Sequence, residues 1–455
     1  MSDHRRIAVI DVGKTNAKLV VVDAATGVEI AARSTSNRVV RDGLYPHYDI
    51  ETLWAFFVEA LTSFATSPGF DAISVTAHGA AAVLLGENDL AMPVIDYEHQ
   101  YPDNVRTAYA AQRPDFAETR SPFLSGGLNV GAQIHYQKTQ FPAEFSAVRT
   151  IVTYAQYWVW RLTRIAVNEV TSLGCHTDLW NPQKGDYSSL VDTLELRPLM
   201  APIRSAFDCI GELRQPLARQ LGLQRTVPVY CGIHDSNASL LPHLTSRTSP
   251  FSVVSTGTWV VSFAVGGRLD QLDPARDTLA NVDAYGKAVP SARFMGGREF
   301  DLLTNGNAVE ADAQTLNQVV GDQFMVLPSV VEGSGPYPAH EAILLNNQSR
   351  SAAEINVAAS LYTALMTNTC LELIGASGPT ILEGPFSRNR IYLSALLSLS
   401  GREVIALPGS TGTSLGAALL AGAACSLKPA AGEVVPLGEA FDAYAKSWRE
   451  NVQGT

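Results

Sequence analysis

Ile7-Ala8-Val9-Ile10-Asp11-Val12-Gly13-Lys14-Thr15-Asn16-Ala17-Lys18-Leu19-Val20-Val21-Val22 opens the chain as strand, turn, strand. Apolar runs on both sides of a short polar turn carrying Gly and Asn read as a hairpin. Beyond Gly27 the run Val28 to Ala32 adds a third strand, so the chain begins as a meander. The pattern returns at Phe251-Ser-Val-Val-Ser255, then Thr256-Gly257-Thr258, then Trp259-Val-Val-Ser-Phe263. Self-similarity of this kind points to internal duplication. The two hairpins predict a duplicated α/β domain with a cleft between the copies. The competing account is two unrelated hairpins, since a glycine–threonine turn is common.

The first turn can do chemistry. Gly13, Lys14, Thr15 and Asn16 can present backbone N–H groups to a phosphate, and Asp11 a carboxylate to a metal. A plain hairpin without a ligand is the alternative. The letters Gly13-Lys14-Thr15 invite a Walker A reading, which fails. Ala8 stands where the motif needs its first glycine, and a strand follows where it needs a helix.

Further along, Asp49 can cap a helix over Glu51 to Ala65, with Leu53, Phe56, Phe57, Ala60, Leu61 and Phe64 on its apolar face. A strand from Ala72 to Ala77 ends at His78-Gly79-Ala80. A second, from Ala82 to Leu85, leads to the polar loop Asp96-Tyr97-Glu98-His99-Gln100. Strand ends are where open α/β folds hold ligands. His78 can therefore bond a sugar hydroxyl, or be a structural histidine. Residues 120–200 read as helices and loops, with Tyr154, Tyr157, Trp158 and Trp160 structural. The loop Glu169 to Asp178 is polar enough to line a pocket, without diagnostic spacing.

The apolar run Val227 to Cys231 leads into Gly232-Ile233-His234-Asp235-Ser236-Asn237-Ala238-Ser239. A carboxylate just past a strand end, beside a histidine and small residues, suits a catalytic base; it equally suits a helix cap. In the last third, Ala352 to Ile374 reads as a long helix and Thr380 to Glu383 as a strand. Gly384-Pro385-Phe386-Ser387-Arg388-Asn389 follows, then a helix over Ile391 to Ser400 and a strand over Val404 to Leu407. Thr411-Gly412-Thr413-Ser414-Leu415-Gly416 opens a small-residue helix through Ala424. Gly384 and Gly412 place backbone close to another group, a flat purine or a neighbouring element, and Gly416 reads as a packing glycine.

A chain of 455 residues is long for one core and suggests two domains. The net charge of -11 argues against a nucleic-acid surface. Five dispersed cysteines fit a reducing compartment. The N-terminus lacks the apolar core of a signal peptide, and no apolar run reaches bilayer length. A soluble cytoplasmic protein with no membrane partner is expected. Metalloprotease, paired-cysteine and nucleophile-elbow patterns are absent, so protease, zinc-site and hydrolase readings lack support.

In order, Asp11-Val-Gly-Lys-Thr-Asn16, Gly232-Ile-His-Asp235, Ser255-Thr-Gly-Thr-Trp259, Gly384-Pro-Phe-Ser-Arg-Asn389 and Thr413-Ser-Leu-Gly-Ala-Ala418 resemble the FGGY carbohydrate kinases. The resemblance runs from about residue 6 to residue 425. It implies two ribonuclease-H-like domains of the actin and sugar-kinase superfamily, residues 1–243 and 244–455, with ATP bound in the cleft. By the same resemblance Asp235 is the catalytic base and Asp11 helps hold Mg²⁺. Gly13, Lys14, Thr15 and Asn16, with Thr256, Gly257 and Thr258, form the two phosphate loops. Gly384, Asn389 and Gly412 serve the nucleotide. His78, Gly79, Asp96, Tyr97, Glu98, His234 and Asp235 face the sugar.

The chain also departs from the family pattern. Lys14 and Asn16 stand where hydroxyl residues are usual, so that Lys14 either reaches the γ-phosphate or neutralises nearby charge. The second sugar loop lacks an Asp–Arg pairing, and Pro385 and Phe386 replace glycine. His234-Asp235 with Ser236 to Ser239 leans toward rhamnulokinases and fuculokinases. The expected activity is ATP-dependent phosphorylation of a primary hydroxyl on a small ketose such as L-rhamnulose or L-fuculose. Xylulose, ribulose, polyol and sugar-acid kinases are alternatives, as is a non-catalytic sensor. Family habit suggests a homodimer.

Overall fold

The computed structural model describes residues 4–307, 309–408, 412–425, 427–430 and 433–454. Thr411, expected to open the last small-residue helix, lies outside the described residues. The chain divides into two compact units. One is Met1–Ser246 with Ala280–Ala288 and Thr411–Ser426; the other is Arg247–Leu279, Val289–Ser410 and Leu427–Thr455.

In the first unit the opening meander is β1 (Arg6–Val12), β2 (Asn16–Asp23) and β3 (Glu29–Ser36). Helix α1 (Ile50–Thr66) follows, then β4 (Ala72–Ala77), and later β5 (Cys209–Glu212), β6 (Pro228–Tyr230), β7 (Ile233–His234) and α2 (Asp235–Ser246). The sheet runs β5-β6-β4-β1-β2-β3, with β7 beside β4. Strand β1 is buried from Ile7 to Val12 because it has neighbours on both edges and layers on both faces; its near-continuous apolar sequence fits that position. Edge strand β3 alternates exposed and half-buried residues, as its polar sequence requires. Helix α1 is capped by Asp49, whose carboxylate accepts from Thr52 N at 3.1 Å. It buries Leu53, Phe57, Ala60, Leu61 and Phe64 against the sheet. Phe56 is only partly buried, at the margin of the stripe.

The second unit repeats the plan with β8 (Phe251–Thr256), β9 (Val260–Val265), β10 (Ala288–Phe294), α3 (Gly296–Thr304), α4 (Ala352–Leu373), β11 (Thr380–Glu383), α5 (Arg390–Ser400) and β12 (Val404–Leu407). Spatial order along its sheet is β10-β9-β8-β11-β12. In the first unit β1 lies antiparallel to β2 and parallel to β4; in the second β8 lies antiparallel to β9 and parallel to β11. The outer partners agree too. Pairs β2–β3 and β9–β10 are antiparallel, and β4–β6 and β11–β12 are parallel. The duplication expected from the hairpins is present. Helix α4 begins with a reciprocal cap, Ser351 and Glu354 each satisfying the other's backbone N–H.

The last small-residue helix, α6 (Thr413–Leu420), ends before the expected Ala424 and belongs with the first unit. It lies against α2 at backbone distance, since a Cβ on Gly416 would overlap the Ala238 carbonyl oxygen. The Gly and Ala of Gly416, Ala417 and Ala418 permit that approach, and Ala417 and Ala418 join the core with Ala238 and Leu241. This differs from two continuous domains split at 243/244. The division by contacts falls three residues later, after Ser246, and the Thr411–Ser426 segment returns to the first unit because its small residues fit α2. Among the described residues, no helix is long and apolar enough to cross a membrane.

Candidate active site

Asp235 begins α2 directly after β7, so the register of β7 on β4 decides where its carboxylate stands. Its Oδ1 accepts from Ser236 N at 2.6 Å and lies 3.1 Å from His234 Nε2. Burial pushes the carboxyl up, but the adjacent His234 outweighs it and holds Asp235 below its ordinary value. His234 is itself raised well above the usual imidazole value: burial opposes charge, while Cys175 and Asp235 favour it. The His234 main chain is pinned as well. Its N–H donates to Thr171 Oγ1 at 3.0 Å, and Thr171 Oγ1 donates to Glu169 Oε2 at 2.5 Å. Burial raises the fully enclosed Glu169 to about 7. Gly79 is glycine for a local reason, since a Cβ there would sit 2.7 Å from His234 Cδ2.

Beside this pair stands His78, at the end of β4. Its ring packs against Tyr48, Tyr97 and Tyr154, with centroids 5.4, 5.3 and 4.7 Å away. Only 7% of the residue is exposed, yet neither ring nitrogen has a hydrogen-bond partner among the described residues. Burial lowers its pKa to about 4, so the ring is neutral at physiological pH. Buried polar atoms are ordinarily satisfied, and two orphaned nitrogens call for a partner the chain does not supply.

Asp11, at the end of β1, accepts from Thr413 Oγ1 at the start of α6, and Lys18 Nζ is 3.5 Å from its Oδ2. Burial raises the Asp11 carboxyl, and the negative Asp235 adds to the effect. Among the described residues no cluster of three metal-ligating side chains occurs. A single carboxylate nonetheless suits Mg²⁺, which keeps most of its waters and is held by one or two carboxylates together with substrate phosphates. Asp11 fits that role, with Oδ1 outside the Thr413 and Lys18 contacts.

The two glycine turns spend part of their hydrogen-bonding capacity internally. Gly13 N donates to Asn16 O, and Gly257 N donates to Trp259 O, each at 2.9 Å. Among the described residues the backbone N–H groups of Lys14, Thr15 and Thr258 make no backbone hydrogen bond. The Thr15 and Asn16 side chains are exposed and bond one another. Lys14 turns away from its own loop: Nζ pairs with Asp96 Oδ1 and lies 3.4 Å from Glu98 Oε2. Trp259, expected to open a strand, belongs to the turn, and β9 starts at Val260.

The second unit carries a cavity of about 940 Å³, lined by Gly257, Thr258, Phe300, Asn356, Phe386 and Asn389 among others. Nucleotide-sized ligands occupy cavities of this order. The Thr256 hydroxyl is spent on the Glu383 carbonyl and accepts from Phe386 N at 3.2 Å. Asn389 lines the cavity, but its side chain caps α5 through Tyr392 N at 3.0 Å and donates to Ser360 Oγ at 2.8 Å. A Cβ on Gly384 would overlap Thr256 O, so its close approach is to protein backbone. Around Gly412, whose φ is +65°, no atom of the described residues lies within 4 Å of such a Cβ. Sequence reasoning missed Lys18, Tyr48, Phe300 and Asn356 as contributors, offered Thr171 only within the undiagnostic loop Glu169 to Asp178, and left Tyr154 structural. No local spacing marks them.

Comparison with known proteins bears on the class. Residues 6–242 match the N-terminal domain of the FGGY family of carbohydrate kinases, and residues 248–429 match the carbohydrate kinase FGGY C-terminal domain. The chain belongs to the FGGY family of carbohydrate kinases. It is similar to a carbohydrate kinase from Novosphingobium aromaticivorans of known crystal structure, with 33% identity over the whole of both chains and a TM-score of 0.91. The xylulose kinase from Rhodospirillum rubrum shares the fold at 19% identity, with a TM-score of 0.81 over 99% of each chain. Among curated relatives, L-fuculokinase from Haemophilus influenzae is 26% identical over 279 residues, 56% of this chain. L-fuculokinase from Escherichia coli K12 is 23% identical over 58% of this chain. The matched region spans 57% of the length of each fuculokinase.

Proposed function

We propose that the protein transfers the γ-phosphoryl group of ATP to a primary hydroxyl of a small sugar, with Asp235 as the base. The observation that carries this reading is the pairing of an ionised, half-exposed Asp235 with a neutral, unsatisfied His78. One group can take a proton, and the other can donate to or accept from a hydroxyl. Phosphoryl transfer asks a protein mainly for positioning and charge stabilisation. Asp235 accepts the hydroxyl proton as that oxygen attacks phosphorus and the bond to ADP breaks. His234 keeps the carboxylate ionised and fixed, while Thr171 and Glu169 hold the His234 main chain. The free amides of Lys14, Thr15 and Thr258, with Gly257 beside them, meet the phosphates. The cavity at Phe300, Asn356, Phe386 and Asn389 takes the adenosine. Asp11 holds Mg²⁺, which offsets charge on the phosphoryl oxygens when bound.

The substrate favoured is a ketose such as L-rhamnulose or L-fuculose, which the motif lean and the fuculokinase likeness support. Cytoplasmic location and a homodimer complete the proposal. The test follows ADP release with MgATP over L-rhamnulose, L-fuculose, both xyluloses, both ribuloses, glycerol and gluconate, with Asp235→Ala alongside. One ketose giving large, Asp235-dependent turnover is the expected result. Sugar-independent hydrolysis untouched by the substitution would point to another kind of ATPase, and nucleotide binding without turnover to a sensor.

A further inference from the structure

Lys14 sits in the first glycine turn, yet its side chain is built into a different neighbourhood. The ammonium is paired with Asp96 and Glu98 and lies 5.2 and 4.7 Å from the ring centroids of Tyr48 and Tyr97. The same two rings form walls around His78. One aromatic frame therefore holds a cation on one side and an unsatisfied neutral imidazole on the other. The lysine side chain is 18% exposed and that of Asp96 7%, so the pair is enclosed and retains an opening. Asp96 Oδ1 accepts from both Lys14 Nζ and Glu98 N, which leaves Oδ2 without a hydrogen bond among the described residues. Swinging Lys14 toward a phosphate would strip the buried Asp96 of its counter-charge and the cation of its aromatic faces, a costly exchange.

We propose that Lys14 recognises the acceptor rather than the nucleotide: with Asp96 it forms a donor–acceptor pair for two neighbouring hydroxyls of a neutral sugar. A free N–H of Lys14 donates to one hydroxyl oxygen, and Asp96 Oδ2 accepts the proton of the next. Because the ammonium is already balanced by two carboxylates, the pair suits a neutral polyol chain better than a sugar acid. Anchored in the turn, Lys14 also ties the turn backbone to the Asp96–Glu98 loop. Asn37 braces the other side, donating from Nδ2 to Gly13 O at 2.9 Å. The inference rests on the kinase reading above.

The test is full steady-state kinetics, varying sugar and ATP separately, on the wild type, Lys14→Met, Asp96→Asn and the double variant. Sugar KM is expected to rise about tenfold or more in each single variant, with ATP KM within about twofold of wild type. The double variant is expected to be little worse than either single one, because the two groups act as a unit. A rise in ATP KM with sugar KM unchanged overturns the proposal, and so does no change in either. Affinity of Lys14→Met for Mg²⁺ with a non-hydrolysable ATP analogue that keeps the γ-phosphate, measured without sugar, reports a folded protein and separates the two readings. If the wild type phosphorylates no sugar, the kinase reading fails on its own. The analogue arm then still decides whether Lys14 serves the phosphates: unchanged affinity supports the proposal, and a tenfold loss overturns it.

Discussion

The two glycine turns occupy equivalent places in duplicated sheets, but they are held by different means. At the first, side chains make the connections: Lys14 to Asp96, Asn37 to the Gly13 carbonyl, Thr413 to Asp11. At the second, only the Thr256 hydroxyl joins in from a side chain, and main chain lies on main chain, for a Cβ on Gly297 would overlap Gly257 O and one on Gly384 would overlap Thr256 O. Duplication preserved the strand pairing and left the turns free to diverge. A turn held by side chains can be retuned one residue at a time, whereas one held by backbone contact tolerates almost no added atom.

The largest effect expected lies in the first unit. Asp235→Ala or Asp235→Asn should lower turnover by about two to four decades in an ADP-release assay, while the folded spectrum by circular dichroism is retained. Near-normal turnover would falsify the base assignment. Next comes the contrast between the turns themselves. Gly384→Ala places a Cβ at a φ of +80° into the Thr256 carbonyl and should cost about 2–4 kcal/mol by urea unfolding. Gly13→Ala, whose Cβ would meet Asn16 O at 3.1 Å without a positive φ, should cost no more than about 1 kcal/mol. Equal losses at the two positions would erase the distinction drawn between them.

Glu169 sharpens the comparison through pH. Its carboxyl is raised to about 7 in the folded protein from an ordinary 4.5, so its stabilising contribution is complete below pH 4.5 and declines as pH rises through 7. Relative to Glu169→Gln, the wild type should lose about 3 kcal/mol across that window, read as melting temperature against pH. A flat difference would mean that Glu169 is not enclosed as described. A smaller change than at Glu169 is expected of Thr413→Val, which removes the hydroxyl bonded to Asp11. It should destabilise by about 1.5 kcal/mol and shift the Asp11 titration further upward, measured by urea unfolding and by carboxylate NMR.

Much of this architecture is legible in the linear chain because strands and amphipathic helices are local patterns. The hairpins, the helix capped at Asp49, the long helix after Ser351 and the strand ending at His78 follow from period and punctuation. The shortcomings have a common cause. Phe56 and Phe57 both look like core, but only the packed sheet puts Phe57 inside and Phe56 at the rim. Asn389 matches the nucleotide stretch, yet the start of α5 requires its side chain for a cap.

By itself the sequence determined the duplicated α/β plan, the kinase family and the candidate residues Asp11, His78 and Asp235, since each sits at a strand end or turn that neighbouring residues specify. Tertiary structure decided what those residues face. It brought Thr413 to Asp11 across a separation of 402 positions, set Thr171 under the His234 main chain, and turned Lys14 from its own loop to Asp96. Long-range contacts carry no periodic signal. A lysine's flexible stem points wherever buried charge and aromatic faces lower its free energy, and only the folded chain places those groups within reach.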